Sequence, residues 1–316
     1  MQTFSFNNGD QMPMLGLGTW KTDNQAIQPV IKQALSTGYR HIDCAAVYGN
    51  EAGIGEALSE AFTAKETTRE ALWMTSKLWN NAHKADDVLP ALKKTLRNLQ
   101  LNYLDLYLIH WPVAVKPGVG FPQSDDDYLS LEQLPIIETW EAMEACVDTG
   151  LIKHIGVANF SVTKLENLVE KSRIKPEVNQ VELHPLLQQP DMKKYCDSVN
   201  INLTAYAPLG SGDRPVFFQE EGSPTPLEQP LIHDIAAAHN ATAAQVLLAW
   251  GIQRGTAVIP KTVKAQRMKE NLAAADLKLN DEDMQQIQAL DQHCRLLNGK
   301  LWGGPYNYEY LWDEKE

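Results

Sequence analysis

Eight short apolar runs, each separated from the next by a longer segment, recur along the 316 residues of the chain. They read as strands near 15–19, 39–43, 72–76, 105–110, 154–158, 178–182, 202–206 and 256–260. Between them lie faces with a 3.6-residue period. Ile27, Val30, Ile31, Ala34 and Leu35 share one, closed by Gly38 as a C-cap. Val88, Leu89, Leu92, Leu96 and Leu99 share another, and a third runs from Thr242 through Val246, Leu247 and Trp250. Parallel strands need crossover connections, and eight strand–helix units in a row with no break in composition predict a single closed sheet. The expected fold is α/β, a (β/α)8 TIM barrel forming one domain over 1–316. A hairpin of 3–6 and 11–15 about Asn7-Asn8-Gly9-Asp10 precedes it and would plug the bottom of the barrel.

In such a barrel the strand ends carry the chemistry. DCAAVYGNE at 43–51, TSKLW at 75–79 and LIHWP at 108–112 bring Asp43, Tyr48, Lys77 and His110 to the ends of three successive strands. A carboxylate, a phenol, an ammonium and an imidazole are the groups needed to protonate a carbonyl oxygen while a hydride attacks its carbon. Each also has a bland explanation: Asp43 as a helix cap, Tyr48 as a core aromatic, Lys77 as a surface cation, His110 as a satisfied core histidine. For one residue alone the bland reading prevails; four at consecutive strand ends reverse it.

The formal charge of −12 disfavours nucleic acid and anionic membrane as partners, while leaving room for a local cationic pocket. The N-terminus has no signal-peptide pattern, and no apolar stretch reaches the length of a membrane helix. Cys44, Cys146, Cys196 and Cys294 are scattered, as in a reduced cytoplasmic protein. The eight histidines form no i,i+4 pair on a helix, so no metal is expected, and GxGxxG, P-loop, HExxH and GxSxG patterns are absent.

Three connections exceed ordinary linkers: 112–136 after barrel strand 4, 210–230 after strand 7, and the tail 295–316 with Trp302, Tyr306, Tyr308, Tyr310 and Trp312. All three read as walls of a substrate pocket.

GLGTW (16–20), DCAAVYGNE, TSKLW, LIHWP, GVANF (156–160), NQVELHP (179–185), AYAPLG (205–210) and IPKTVKAQRMKEN (259–271) resemble the aldo-keto reductase motifs in order and spacing, over essentially the whole chain. The resemblance implies a barrel, carbonyl reduction without metal, and a nicotinamide cofactor, NADPH in preference to NADH. It makes Tyr48 the proton donor, its pKa lowered by Lys77, which Asp43 holds; His110 orients the carbonyl. Asn159 and Gln180 would bind the carboxamide, and Tyr206 would stack under the ring. Lys21 and Asp213 would close over the pyrophosphate, and Thr19, Trp20, Asp43, Leu209 and Ser211 would also contact the cofactor. Lys261, Thr262, Arg267, Glu270 and Asn271 would hold the phosphate end. Trp20, Trp79, Trp111, Phe121 and Trp302 would wall the substrate pocket with Tyr48 and His110. Ala158 and Ala207 stand where relatives often have Ser, and Val216 where some have Trp.

The expected activity is reversible reduction of aldehydes and some ketones by a monomer, with aromatic and medium-chain aldehydes preferred over sugars. A dedicated aldose or sugar-phosphate reductase is the alternative, favoured if Asp125-Asp126-Asp127 turns inward to bind hydroxyls. A barrel kept only for binding a nicotinamide is more remote, because the four catalytic positions are intact.

Overall fold

In the computed structural model, which describes residues 2–215, 218 and 224–314, the hairpin comprises β1 (Thr3–Ser5) and β2 (Gln11–Pro13). β3 (Leu17–Gly18), β4 (His41–Asp43), β5 (Trp73–Leu78) and β6 (Leu104–Ile109) then pair side by side, followed by β7 (Ile152–Ala158), β8 (Val178–Glu182), β9 (Asn202–Tyr206) and β10 (Ala257–Val258). All these pairings are parallel. The sheet curls until its ends meet: Gly16 N donates to Val258 O at 2.9 Å, Val258 N to Met14 O at 2.7 Å and Gly18 N to Pro260 O at 3.1 Å. Gly18 permits that approach, since a Cβ there would lie 2.7 Å from Ile259 O.

The crossovers are α1 (Asn24–Thr37), α2 (Glu51–Thr63), α3 (Ala85–Leu99), α4 (Ile136–Asp148), α5 (Val162–Lys171), α6 (Pro190–Val199), and α7 (Pro230–Ala238) with α8 (Ala243–Gln253); α9 (Ala265–Ala273), α10 (Asp281–Gln288) and α11 (Tyr308–Trp312) lie beyond the last strand. The expected faces are the inward ones. α1 buries Ile27, Val30, Ile31, Ala34 and Leu35 and stops at Gly38, whose φ of 111° is left-handed. α8 starts at a Thr242–Gln245 capping box. One apolar core runs from Phe6 in the hairpin to Ile287 in α10. Among the described residues no helix is long and apolar enough to cross a membrane, and no cluster of His, Cys, Asp and Glu could hold a metal.

Regular pairing is shorter than expected at 15–19, 39–43 and 256–260, where β3, β4 and β10 hold only two or three residues. Pro260 has no amide to donate, and the seam bonds replace a regular ladder there. The hairpin covers the N-terminal end of the barrel. Phe6 stacks on Trp73, at the start of β5, with ring centroids 5.1 Å apart, and lies 4.2 Å from the His154 ring in β7. His154 lies between Asp10 of the hairpin turn (3.0 Å) and Glu177 (2.8 Å). Burial opposes its charge, but the two carboxylates outweigh that and raise its pKa, while the bond to His154 lowers that of Asp10.

Candidate active site

β4 ends at Asp43, β5 carries Lys77 next to its end, and His110 follows β6 directly. Because these strands are neighbours, the three side chains share the C-terminal rim. Tyr48 joins them from a single 3-10 turn, Ala46–Tyr48. Lys77 is completely buried and donates to Asp43 Oδ1 and, at 2.8 Å, to Cys44 O. Its ammonium lies 5.2 Å from the Tyr48 ring centroid. The His110 ring sits edge-on to Tyr48 at 5.7 Å and to Trp79 at 5.2 Å.

Burial fixes the charge states. It works against the Lys77 ammonium, yet Asp43 and the other neighbours more than offset it, so the pKa of Lys77 is raised. The Tyr48 phenol is pushed up to about 12 by burial, which exceeds the opposing pull of Lys77. This corrects the expectation of a lowered phenol pKa. The field of Lys77 is present, but the cost of a desolvated phenolate is larger, and the negative charge of Asp43 adds to that cost. Burial, followed by the Lys77 charge, holds the His110 imidazole well below its usual range, so it is neutral near pH 7.

A cavity of about 650 Å³ opens above these groups. Asp43, Tyr48 and His110 line it, while Lys77 lies behind Tyr48 and Asp43. Thr19, Trp20, Lys21, Asn159, Gln180, Tyr206, Leu209, Ser211, Asp213, Lys261, Thr262 and Arg267 also reach it. Glu270 and Asn271 do not. They lie one turn beyond Arg267 on α9, where Glu270 accepts from Gln266 (2.9 Å) and Asn271 is buried near Tyr39. The two carboxamides are held in place. Asn159 Nδ2 donates to His110 O (2.9 Å) and its Oδ1 accepts from Tyr206 (2.7 Å), while Gln180 Nε2 donates to Asp43 Oδ2 (2.7 Å). Asp213 Oδ2 lies 3.8 Å from Lys21 Nζ and 3.4 Å from Lys261 Nζ. Lys21, Asn159, Ala207 and Ser211, all on the wall, have left-handed φ angles without being glycine. Such conformations gather where a surrounding structure imposes them, commonly at binding sites.

Trp20, Trp79, Trp111, Phe121 and Trp302 line the cavity. Phe121 and Trp302 stack nearly parallel at 6.5 Å, and Trp79 Nε1 donates to Gly120 O at 2.8 Å. The three long connections contribute unequally. From 112–136 only Phe121 reaches the wall; Asp125 and Asp126 face solvent, and Asp127 caps its own turn through Gln123 N (2.7 Å). The tail supplies Leu297, Leu301 and Trp302, whereas Tyr306, Tyr308, Tyr310 and Trp312 do not line the cavity. They belong to a second apolar cluster that packs the tail onto the 112–136 connection, with Tyr306 donating to Leu129 O at 2.7 Å. The connection 210–230 supplies Phe218 and Leu227; Val216 lies outside the described residues. Val47, Pro208, Phe218, Leu227, Lys264, Leu297 and Leu301 were not anticipated as wall residues. Each lies in or beside a recognised motif, or in the 210–230 or 295–316 connection, but nothing in side-chain type separates these wall residues from their neighbours.

Comparison with known proteins agrees with this architecture. The Aldo/keto reductase family model matches residues 14–292. The chain is 55% identical to Aldo/keto reductase slr0942 of Synechocystis over 99% of its length and 97% of that protein's. It is 44% identical to Aldo-keto reductase family 1 member A1 of Bos taurus, covering 92% of this chain and 90% of the relative. A solved aldose reductase from Schistosoma japonicum superposes with a TM-score of 0.87 at 40% identity, covering 95% and 96% of the two chains. With these matches spanning nearly its whole length, the chain belongs to the aldo/keto reductase family and is an oxidoreductase.

Proposed function

We propose that the protein reduces aldehydes, and some ketones, to alcohols with NADPH, and that it runs in reverse as an alcohol dehydrogenase. The observation that carries this reading is a phenol set over a buried lysine–aspartate pair, opening on the same cavity as two fixed carboxamides. When bound, the reduced nicotinamide supplies the hydride that attacks the carbonyl carbon. Tyr48 gives its proton to the carbonyl oxygen, and Lys77 stabilises the phenolate left behind. Asp43 keeps Lys77 charged and placed. His110, being neutral, presents one N–H to the same oxygen and orients it.

The residues suit the cofactor. The Gln180 bond to Asp43 commits an amide proton and leaves its carbonyl oxygen as an acceptor; Asn159, whose oxygen serves Tyr206, retains a second N–H to donate. The pair is therefore matched to the N–H and C=O of one carboxamide in one orientation. Among the described residues the cations that reach the cavity are Lys21, Lys261, Lys264 and Arg267, gathered about Asp213 and the start of α9, which suits a 2′-phosphate. NADH would be the poorer substitute.

Around Tyr48 and His110 the walls are Val47, Trp79, Trp111, Phe121, Leu297 and Trp302. Burial of apolar surface, at about 25 cal/mol per Å², favours aromatic and medium-chain aldehydes there over open-chain sugars. The outward-facing Asp125 and Asp126 support the same preference. The buried Cys44, Cys146 and Cys196 fit a reduced cytoplasmic setting, and the contiguous core fits a one-domain monomer over 1–316. An initial-rate screen with 4-nitrobenzaldehyde, hexanal, xylose and glucose tests the reading. NADPH absorbance should fall fastest with the aromatic aldehyde. An aldose that outperforms every apolar aldehyde would instead make the protein a sugar reductase.

A further inference from the structure

One wall of the cavity is tied to the end of a barrel strand by a buried side chain. Glu182, the last residue of β8, is wholly buried. Its Oε1 accepts from Leu296 N at 2.8 Å and from His184 Nε2 at 2.9 Å, and its Oε2 accepts from Leu297 N at 2.8 Å. Burial opposes the carboxylate, but the His184 contact, the nearby Arg295 charge and the Leu296 amide outweigh it, so its pKa is lowered and it stays ionised. A charge in so dry a place is costly unless every lone pair is used, and here the partners are consecutive amides of the C-terminal segment.

That segment is wall. Leu297, Leu301 and Trp302 line the cavity, and Trp302 N bonds to Gly299 O (2.9 Å) within the same loop. Its approach is steadied by Gln292 N and Cys294 N, which donate to Leu186 O at 3.2 and 2.9 Å. Beyond it, Trp312 Nε1 donates to Asn298 O at 2.8 Å. On β8, Gln180 stands two residues before Glu182 and therefore on the same side of the strand, where it bonds to Asp43. Tyr206 is the register partner of Glu182 on β9. The strand end that carries a carboxamide ligand thus also fixes the height of the apolar wall.

We propose that Glu182 is a positioning residue for substrate selectivity: by docking Leu296 and Leu297 it holds the wall from Leu297 to Trp302 over the carbonyl site. The inference rests on the aldehyde-reductase reading for its kinetic consequence, but not for its structural one. Loss of Glu182 weakens capture of aldehydes large enough to touch that wall and leaves the acid chemistry of Tyr48 in place.

The test compares the full chain with Glu182→Gln, which can satisfy one amide and not both, and with Glu182→Leu. Hydrogen–deuterium exchange on the substrate-free proteins should show residues 296–302 exchanging about tenfold faster or more in the variants, with β4 and β5 unchanged. In kinetics, KM for 4-nitrobenzaldehyde should rise about tenfold, while kcat/KM for propanal changes by less than about threefold. Equal effects on the two aldehydes, or unchanged exchange at 296–302, would overturn the proposal. If neither variant folds, wild-type exchange decides. Protection at Leu296 and Leu297 matching that of β8 supports the docking, and exchange as fast as in α11 overturns it. A wild type that reduces no aldehyde would defeat the functional reading alone, since exchange still judges the role of Glu182.

Discussion

Tyr48 keeps its proton because burial disfavours the phenolate, and this sets the direction in which it is useful. A phenol with its pKa pushed up to about 12 stays protonated through the neutral range and is ready to donate. kcat/KM for aldehyde reduction is therefore expected to stay flat between about pH 6 and pH 9, while alcohol oxidation, which needs the deprotonated phenol, climbs over the same range. A reduction rate that halves across that window with a tyrosine-like ionisation would contradict the assignment. Tyr48→Phe is expected to lower kcat by about 10²–10⁴-fold while leaving NADPH affinity within a few-fold, as read by cofactor titration and turnover. Lys77→Met should be comparably damaging, because it removes the charge that stabilises the phenolate and leaves Asp43 buried without its cation. Asp43, Lys77 and His110 were legible in the sequence because each sits at a strand end, and Tyr48 because it follows β4 by one short 3-10 turn. The net pKa of Tyr48 was not, since burial is set by residues from distant parts of the chain.

The hairpin of β1 and β2 shows how one element is tied to the barrel by a single titrating contact. Asp10, in its turn, meets His154 of β7. For Asp10 the lowered pKa means stability that is complete above the ordinary value of about 3.9 and is lost as pH falls through the folded value. For His154 the raised pKa means stability that is complete below about 6.5 and is lost as pH rises through the folded value. Both shifts include the same contact, so its energy is counted once. Asp10→Asn is expected to lower stability by about 1 kcal/mol or less, because Asp10 is partly in water, and Tm by about 2 °C. Melts at about pH 5.5 should show the difference and melts above the His154 pKa should not; equal losses at both would remove the ion pair from the account. The helix faces and the hairpin turn could be read from periodicity and from Asn-Asn-Gly-Asp. Pairing within β3 and β10 could not, because the closing seam is decided by Gly18 and Pro260 meeting across some 240 residues of sequence.

At the scale of the molecule, the barrel gathers side chains from residue 19 to residue 302 around one cavity. Its ends differ in character, with cations about Asp213 and aromatic rings about His110. Replacing Lys261 and Arg267 together by Met should raise KM for NADPH by about tenfold or more and KM for NADH much less; equal increases would show that neither side chain reads the 2′-phosphate. The motifs made most of this cavity legible. What escaped was the division of the tail, where Trp302 turns inward and Tyr306 packs away from the cavity, because alike aromatic residues are sorted only by the folded path of the segment. That inward turn has a practical consequence. Half of the chain's eight tryptophans, Trp20, Trp79, Trp111 and Trp302, face the same enclosed space. A molecule entering it changes the surroundings of four indoles at once, and one that absorbs where indole emits drains their excitation. The protein thus carries its own optical gauge of occupancy, which needs no attached dye and registers binding even in variants that no longer turn over.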